Sequence, residues 1–106
     1  MMTDYHPRDM SIWDPWFVTR GGTVHLFHQQ GNIRPGSDRD PADCDAIGHA
    51  VSQDLVHWTE TPPVLRPDPA FPLEDLWAWT GCAVEHEGRF YLYYTMRAGA
   101  ENGQVE

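Results

Sequence analysis

The chain has 106 residues, 16 acidic against seven basic side chains, no lysine, and a formal net charge of −9. An acidic chain without a basic stripe excludes nucleic acid and anionic membrane surfaces as expected partners, and the charge itself serves solubility. The length suits one small domain, and the ordinary apolar content, enriched in aromatics with five tryptophans, is that of a globular protein.

The N-terminal "MMTDYHPRDM" has neither a basic start nor an apolar centre, so no signal peptide is expected. No stretch is apolar for long enough to span a bilayer, and the chain reads as cytoplasmic. "SIWDPWFVTRGG" (11–22) follows. Ile12, Trp13, Trp16, Phe17 and Val18 favour a strand, whereas Asp14 and Pro15 are depleted in strands, and proline cannot donate to a ladder. "TRGGT" suits a tight hairpin, and "TVHLFHQ" is a second strand.

"AIGHAVS" (46–52) is a third strand candidate. "QD" makes a turn, and "LVHWTE" (55–60) is expected as the fourth strand. The prolines of "TPPVLRPDPAFP" are expected to end regular structure and lead to the next unit. No segment keeps a 3.6-residue period, so no helix is expected.

"WTGCAVEHEGRFYLYYT", from Trp79, then repeats "WDPWFVTRGGTVHLFHQ", from Trp13, at a constant offset of 66 residues without a gap. Trp13 meets Trp79, Asp14 meets Thr80, Pro15 meets Gly81 and Leu26 meets Leu92. Each copy reads strand, glycine-containing turn, strand. The bulky residues on both faces of "TVHLFHQ" and "RFYLYYT" imply cover on both sides. Four short antiparallel strands per repeat, flanked by neighbours, describe a β-propeller blade; a jelly roll or sandwich is the competing all-β solution. The expected layout is blade 1 over about 12–61, a linker over 62–74, and the first half of blade 2 over about 75–97. Repeats need several neighbours to bury each unit, so the chain is expected to be an N-terminal fragment of a longer protein.

Asp14 draws attention because its repeat mate is the neutral Thr80: packing at that register position does not ask for an acid. Two functions fit. At the inner end of a propeller strand it would face the central hollow beside Trp13 or Trp16, or it would accept backbone hydrogen bonds in an Asx turn. Trp13, Trp16, Trp77 and Trp79 gather near the two axial strand ends. Trp13 and Trp79 are read as pocket wall suited to the apolar faces of sugars, and Trp58 as core. Asp75 suits either a hydroxyl contact or a loop. Glu60, Glu74, Glu85, Glu87 and Glu101 are read as solvated. Six histidines invite a metal, but His25 and His28 lie three apart on a strand and point to opposite faces, while His49 and His57 have no third ligand; no metal and no cofactor is expected. Cys44 and Cys82 match no zinc or redox spacing and are read as free thiols.

The order "TVHLFHQQGN", "IGHAVSQDLVHWTETPPVLRPD", "WTGCAVEHEGRFYLYYT" resembles the first blades of glycoside hydrolase family 32, and "GHAVSQDLVHW" carries the most specific match. That family cuts β-fructosides; the related family 43, acting on arabinose and xylose polymers, shares the five-bladed propeller. The resemblance, which runs from Trp13 to Thr95, implies about one and a half blades of a five-bladed β-propeller and a carbohydrate substrate. It implies that Asp14, in the family's Asp-Pro pair, is the nucleophile (the general base in family 43). It further implies that Gln29 contacts substrate and that Trp79, Thr80, Gly81 and Cys82 occupy the position of the family's Phe-Ser-Gly-Ser stretch. Where that family reads Asn-Asp-Pro-Asn-Gly, this chain reads Trp-Asp-Pro-Trp-Phe, and Ile47 stands where a Trp often precedes "GHAVS". "DRDP" (38–41) is not taken as the family's Arg-Asp-Pro element, because it falls in a polar loop too early in the chain. The partner acid that glycoside hydrolysis requires is expected on a later blade, beyond residue 106. A sugar-binding propeller without catalysis is the non-enzyme alternative.

Overall fold

The computed structural model describes residues 5–7, 11–31, 46–66 and 77–97. They form six strands: β1 (Ser11–Arg20), β2 (Thr23–Gly31), β3 (Ala46–Ser52), β4 (Thr59–Leu65), β5 (Trp77–His86) and β6 (Arg89–Arg97). There is no helix among the described residues, hence none long and apolar enough to cross a membrane. β1-β2-β3-β4 make one antiparallel meander and β5-β6 a separate hairpin.

The 66-residue repeat is visible in the backbone. Both hairpins close through two residues with positive φ, Gly21 and Gly22 (55° and 79°) in the first and Glu87 and Gly88 (49° and 77°) in the second. This is the turn whose twist matches that of the strands it joins, and glycine supplies the left-handed conformation without steric cost. In the second turn Glu85 adds a cap, its Oε1 accepting from the Gly88 N–H at 2.9 Å. Both hairpins also carry an irregularity of one extra residue. In β1 the register jumps between Trp13, opposite Gln29, and Trp16, opposite Phe27. In β5 it jumps between Ala78, opposite Met96, and Gly81, opposite Tyr94. Two residues thus face one: Asp14–Pro15 in the first hairpin, and Trp79–Thr80, one repeat position earlier, in the second. A β-bulge is where a strand accepts a proline and a residue off the ladder.

β3 spans the expected residues, but β4 does not. The fourth strand runs over 59–65 rather than 55–60, passing through Pro62 and Pro63 and beyond the expected start of a linker at 62. Side-chain caps displace Leu55–Trp58 from the sheet. Ser52 Oγ accepts from the N–H groups of Asp54 (3.2 Å) and Leu55 (2.9 Å), and Asp54 Oδ1 accepts from those of Val56 (2.9 Å) and His57 (2.8 Å). Such local bonds compete with a ladder. The prolines are tolerated because, among the described residues, β4 is paired only with β3, and the β3–β4 register is irregular where they fall.

The two sheets stack. β5 lies against β1, and Ala83 and Leu92 of the second hairpin pack onto the buried Trp16, Phe27 and Ile47 of the first sheet, together with Val18 and Leu65. Each fully buried large apolar side chain here contributes about 1.5–3 kcal/mol. Trp16 and Phe27, directly opposite across the ladder, stack at 6.1 Å. The other face of the first sheet is met by Tyr5, whose ring lies 6.0 Å from that of Trp58. Trp58 is half-buried at the margin of this face, also against Phe17, rather than in the core. β2 is covered on both sides and buried from Leu26 to Gly31. β6 is not: Tyr93 is 62% exposed and Tyr91 44%, because the hairpin has the first sheet on one face only among the described residues. An all-β chain with a four-stranded meander and a second hairpin stacked beside it is the propeller arrangement.

Candidate active site

Asp14 occupies the β1 bulge with φ +36°, a conformation that costs a residue with a side chain of order 1–3 kcal/mol and that Asp adopts more readily than most. Its carboxylate is exposed, and Gln29 Nε2 donates to Oδ2 at 3.2 Å. Gln29 reaches it from the neighbouring strand because Gln29 pairs with Trp13, the residue just before the bulge. The two polar candidates singled out in the sequence, fifteen residues apart, are therefore in contact.

Trp13 and Trp79 are half-buried and Thr80 is exposed, the latter two in the bulge of β5. Trp16 differs from the expectation that grouped it with the axial tryptophans. It is 8% exposed and belongs to the core between the sheets, because the extra residue of the bulge shifts the alternation and sets it opposite Phe27. Its indole N–H is buried without an acceptor among the described residues. Gly81 follows the second bulge, where a Cβ would run into the Tyr93 carbonyl and lie 2.9 Å from Tyr94 Cα. Cys82 is an exposed free thiol. Asp40, Cys44, Glu74, Asp75, Glu101 and the side chain of Trp77 lie outside the described residues.

The end of β2 near Asp14 carries a buried polar run. His28, Gln29 and Gln30 are consecutive polar residues at 0%, 6% and 4% exposure. Buried polar groups are costly unless hydrogen-bonded, and a run of three consecutive polar residues in a strand was the available signal. His28 Nδ1 lies 3.2 Å from the Gln29 carbonyl, and Nε2 lies 3.2 Å from the Tyr5 hydroxyl.

His25 and His49 sit on the opposite face, between the sheets. The Thr61 hydroxyl donates to the His49 carbonyl at 3.1 Å, so its oxygen accepts from His49 Nδ1–H at 2.7 Å. His49 Nε2 is then the acceptor for His25 Nδ1–H at 2.9 Å. Phe90 of the second hairpin meets the His25 ring edge-on at 4.6 Å. Burial holds both imidazoles below their usual pKa, helped by the Arg20 charge at His25 and by the neighbouring imidazoles at His49. Among the described residues no three His, Cys, Asp or Glu side chains converge as a metal site would require.

A cleft of about 400 Å³ lies at the other end of the sheet, lined by Thr23, Ser52, Asp54, His57 and Thr59 among others. The Asp54 carboxylate there accepts from His57 Nδ1 at 2.7 Å, and with the two backbone N–H groups this holds it well below the usual carboxylate range. Those bonds shape the β3–β4 loop, and the register, which places Ser52 opposite Val24, sets the cleft far from Asp14.

Comparison with known proteins fits this geometry. The sequence profile of "Glycosyl hydrolases family 32 N-terminal domain" matches residues 6–106. A sucrose-6-phosphate hydrolase of Zymomonas mobilis subsp. mobilis is 44% identical over 107 aligned residues, which cover 96% of this chain and 19% of that protein. An acid β-fructofuranosidase of Solanum lycopersicum is 32% identical over 104 residues, covering 88% of this chain and 14% of that protein. The chain therefore spans less than a fifth of the length of either of these relatives. Among solved structures, a GH43 β-xylosidase/α-arabinofuranosidase from a compost microbial metagenome, in complex with xylotriose, superposes with a TM-score of 0.65 at 16% identity over 89% of this chain and 29% of that one. That likeness carries the fold alone. Because the family profile covers all but the first five residues, this chain belongs to glycosyl hydrolase family 32 and lies in its N-terminal domain.

Proposed function

We propose that the whole protein hydrolyses the O-glycosidic bond of a furanoside, of the β-fructofuranosidase type, and that Asp14 is its ionised catalytic carboxylate. The observation that carries this is the Asp14 carboxylate itself. It is exposed in a strained bulge conformation and takes a hydrogen bond from a buried glutamine, at a position whose counterpart in the sequence repeat is the neutral Thr80 and in the second bulge Trp79. Strain that a fold retains at an acid with no packing role fits a group kept for chemistry.

Glycoside hydrolysis requires one ionised carboxylate, attacking the anomeric carbon or activating water, and one protonated carboxyl that gives its proton to the departing oxygen. Asp14 fills the first role, with Gln29 Nε2 fixing one carboxylate oxygen and leaving the other for the reacting centre. The second is assigned to another part of the whole protein. Glu85 is engaged in the β5–β6 turn, and Glu60 and Glu87 are exposed on β4 and in that turn. Trp13, Trp79 and Thr80 are read as contacts for the sugar, with Gln29 shared between substrate and Asp14. The relatives named sucrose-6-phosphate hydrolase and β-fructofuranosidase support a fructoside as substrate.

The test is hydrolysis by the whole protein of sucrose, sucrose 6-phosphate and inulin beside arabinan and arabinoxylan. Release of fructose from the first group supports the reading. Release of arabinose or xylose alone moves the protein to family 43-type specificity, and saturable sugar binding without turnover makes it a lectin.

A further inference from the structure

His28 is the β2 residue that faces the two-residue bulge, since Trp13 pairs with Gln29 and Trp16 with Phe27. Its ring is fully buried and fills the space over its β3 partner, Gly48, where a Cβ would collide with the ring. A carbonyl oxygen only accepts, so the contact with the Gln29 carbonyl at 3.2 Å places the imidazole proton on Nδ1. Nε2 is then bare and accepts the Tyr5 O–H at 3.2 Å. Burial favours the neutral form of both: it pushes the Tyr5 phenol up to about 12, aided by Glu60, and lowers the His28 pKa against the opposing pull of the Gln29 carbonyl and Glu60. Tyr5 is itself held by Trp58. The Gln29 side chain donates to Asp14 Oδ2. A continuous chain of contacts thus runs from Tyr5 through His28 and Gln29 to the carboxylate, crossing the sheet from one face to the other.

A histidine whose task was only to fill this space would be outdone by an apolar ring, which carries no polar atoms to satisfy. A catalytic carboxylate in an exposed bulge needs its orientation fixed to within about 0.5 Å by groups that are themselves locked.

We propose that His28 is a positioning residue for Asp14: its Nδ1–H, with Tyr5 on the far ring nitrogen, fixes the Gln29 peptide and so keeps the Gln29 amide on the Asp14 carboxylate. This rests on the reading of Asp14 as the catalytic carboxylate. Two substitutions in the whole protein separate positioning from filling. His28→Phe keeps a ring and loses the N–H; His28→Asn keeps an N–H close to the Nδ1 position and loses the ring. His28→Phe is expected to lower kcat by about tenfold or more with KM within about twofold, as removal of a group supporting a reacting one does, and His28→Asn to recover most of that loss. Equal kcat in the phenylalanine variant and the wild type, or a loss that follows thermal stability in both variants, overturns the proposal. A readout independent of turnover is the NMR signal of the Gln29 side-chain amide in selectively labelled whole protein. In His28→Phe it should shift and exchange faster with solvent, and an unchanged signal overturns the proposal even if the substrate assays succeed. If the wild type hydrolyses nothing while the Gln29 signal moves as expected, the reading of Asp14 fails and the link from His28 to Gln29 stands.

Discussion

Gly48→Ala sets two effects of opposite sign against each other. The φ of Gly48 is not in the left-handed region, so alanine fits the backbone, and the reduced freedom of the unfolded chain alone would stabilise by about 0.4–1 kcal/mol. Against this, the new methyl would overlap His28 Cε1 and Gln30 Oε1 and lie 2.8 Å from His28 Nε2. Neither side chain has anywhere to go, at 0% and 4% exposure. Overpacking a closed site costs about 1–3 kcal/mol. Displacing the ring also weakens the Tyr5–His28 bond, a further loss of about 0.5–1.5 kcal/mol. The steric effect wins, and a net destabilisation of about 1–3 kcal/mol is expected. With an m-value of about 1–1.5 kcal/mol/M, the urea midpoint falls by about 0.7–3 M. Tryptophan fluorescence at submicromolar concentration reads the transition. The control is the same substitution in a His28→Ala background, where the ring clash is gone and only the contact with Gln30 Oε1 remains, so the penalty should shrink. A midpoint that rises in the wild-type background, or an equal loss in both backgrounds, refutes the packing argument.

Acidification should destabilise the fold. Burial lowers the pKa of His25, His28 and His49 below 6.5 in the folded chain. Below about pH 6.5 the unfolded chain then binds more protons, so stability falls as pH drops through that value; a urea midpoint that is flat or rising from pH 7 to about 5 contradicts this. The 106-residue chain on its own should self-associate, because neither edge of the β5–β6 sheet is paired among the described residues and Tyr93 is 62% exposed. Sedimentation should show growth with concentration that Tyr93→Lys reduces, and a monomer across the whole concentration range would tell against it.

Much of the fold was legible because the chain repeats itself. Aligning Trp13 with Trp79 located both hairpins and both turns, and the bulges that follow differ by only one repeat position. β4 was misread for two physical reasons. Leu55 to Trp58 have strand propensity, yet Ser52 and Asp54 offer the N–H groups of Leu55, Val56 and His57 better partners; Pro62 and Pro63 look like breakers, yet a strand paired on one side among the described residues accommodates them. The acid and its glutamine were each visible, but their contact depends on a register that a one-residue bulge sets, and alternation alone assigns Trp16 to the wrong environment. His28 was weighed only as a metal ligand because burial and the approach of Tyr5 exist only in three dimensions, although "HQQ" within a strand already posed the question of where buried polar side chains find partners.

The most direct test of the central claim is the turnover of the whole protein carrying Asp14→Asn, measured beside wild type on the substrate that wild type cleaves, with circular dichroism as a check of the fold. Asparagine preserves shape and removes the charge needed to attack the anomeric carbon or activate water. The expected result is an unchanged spectrum with kcat reduced by at least about a thousandfold, the scale on which covalent or general-base chemistry contributes. Turnover within tenfold of wild type by a folded Asp14→Asn protein would contradict the account.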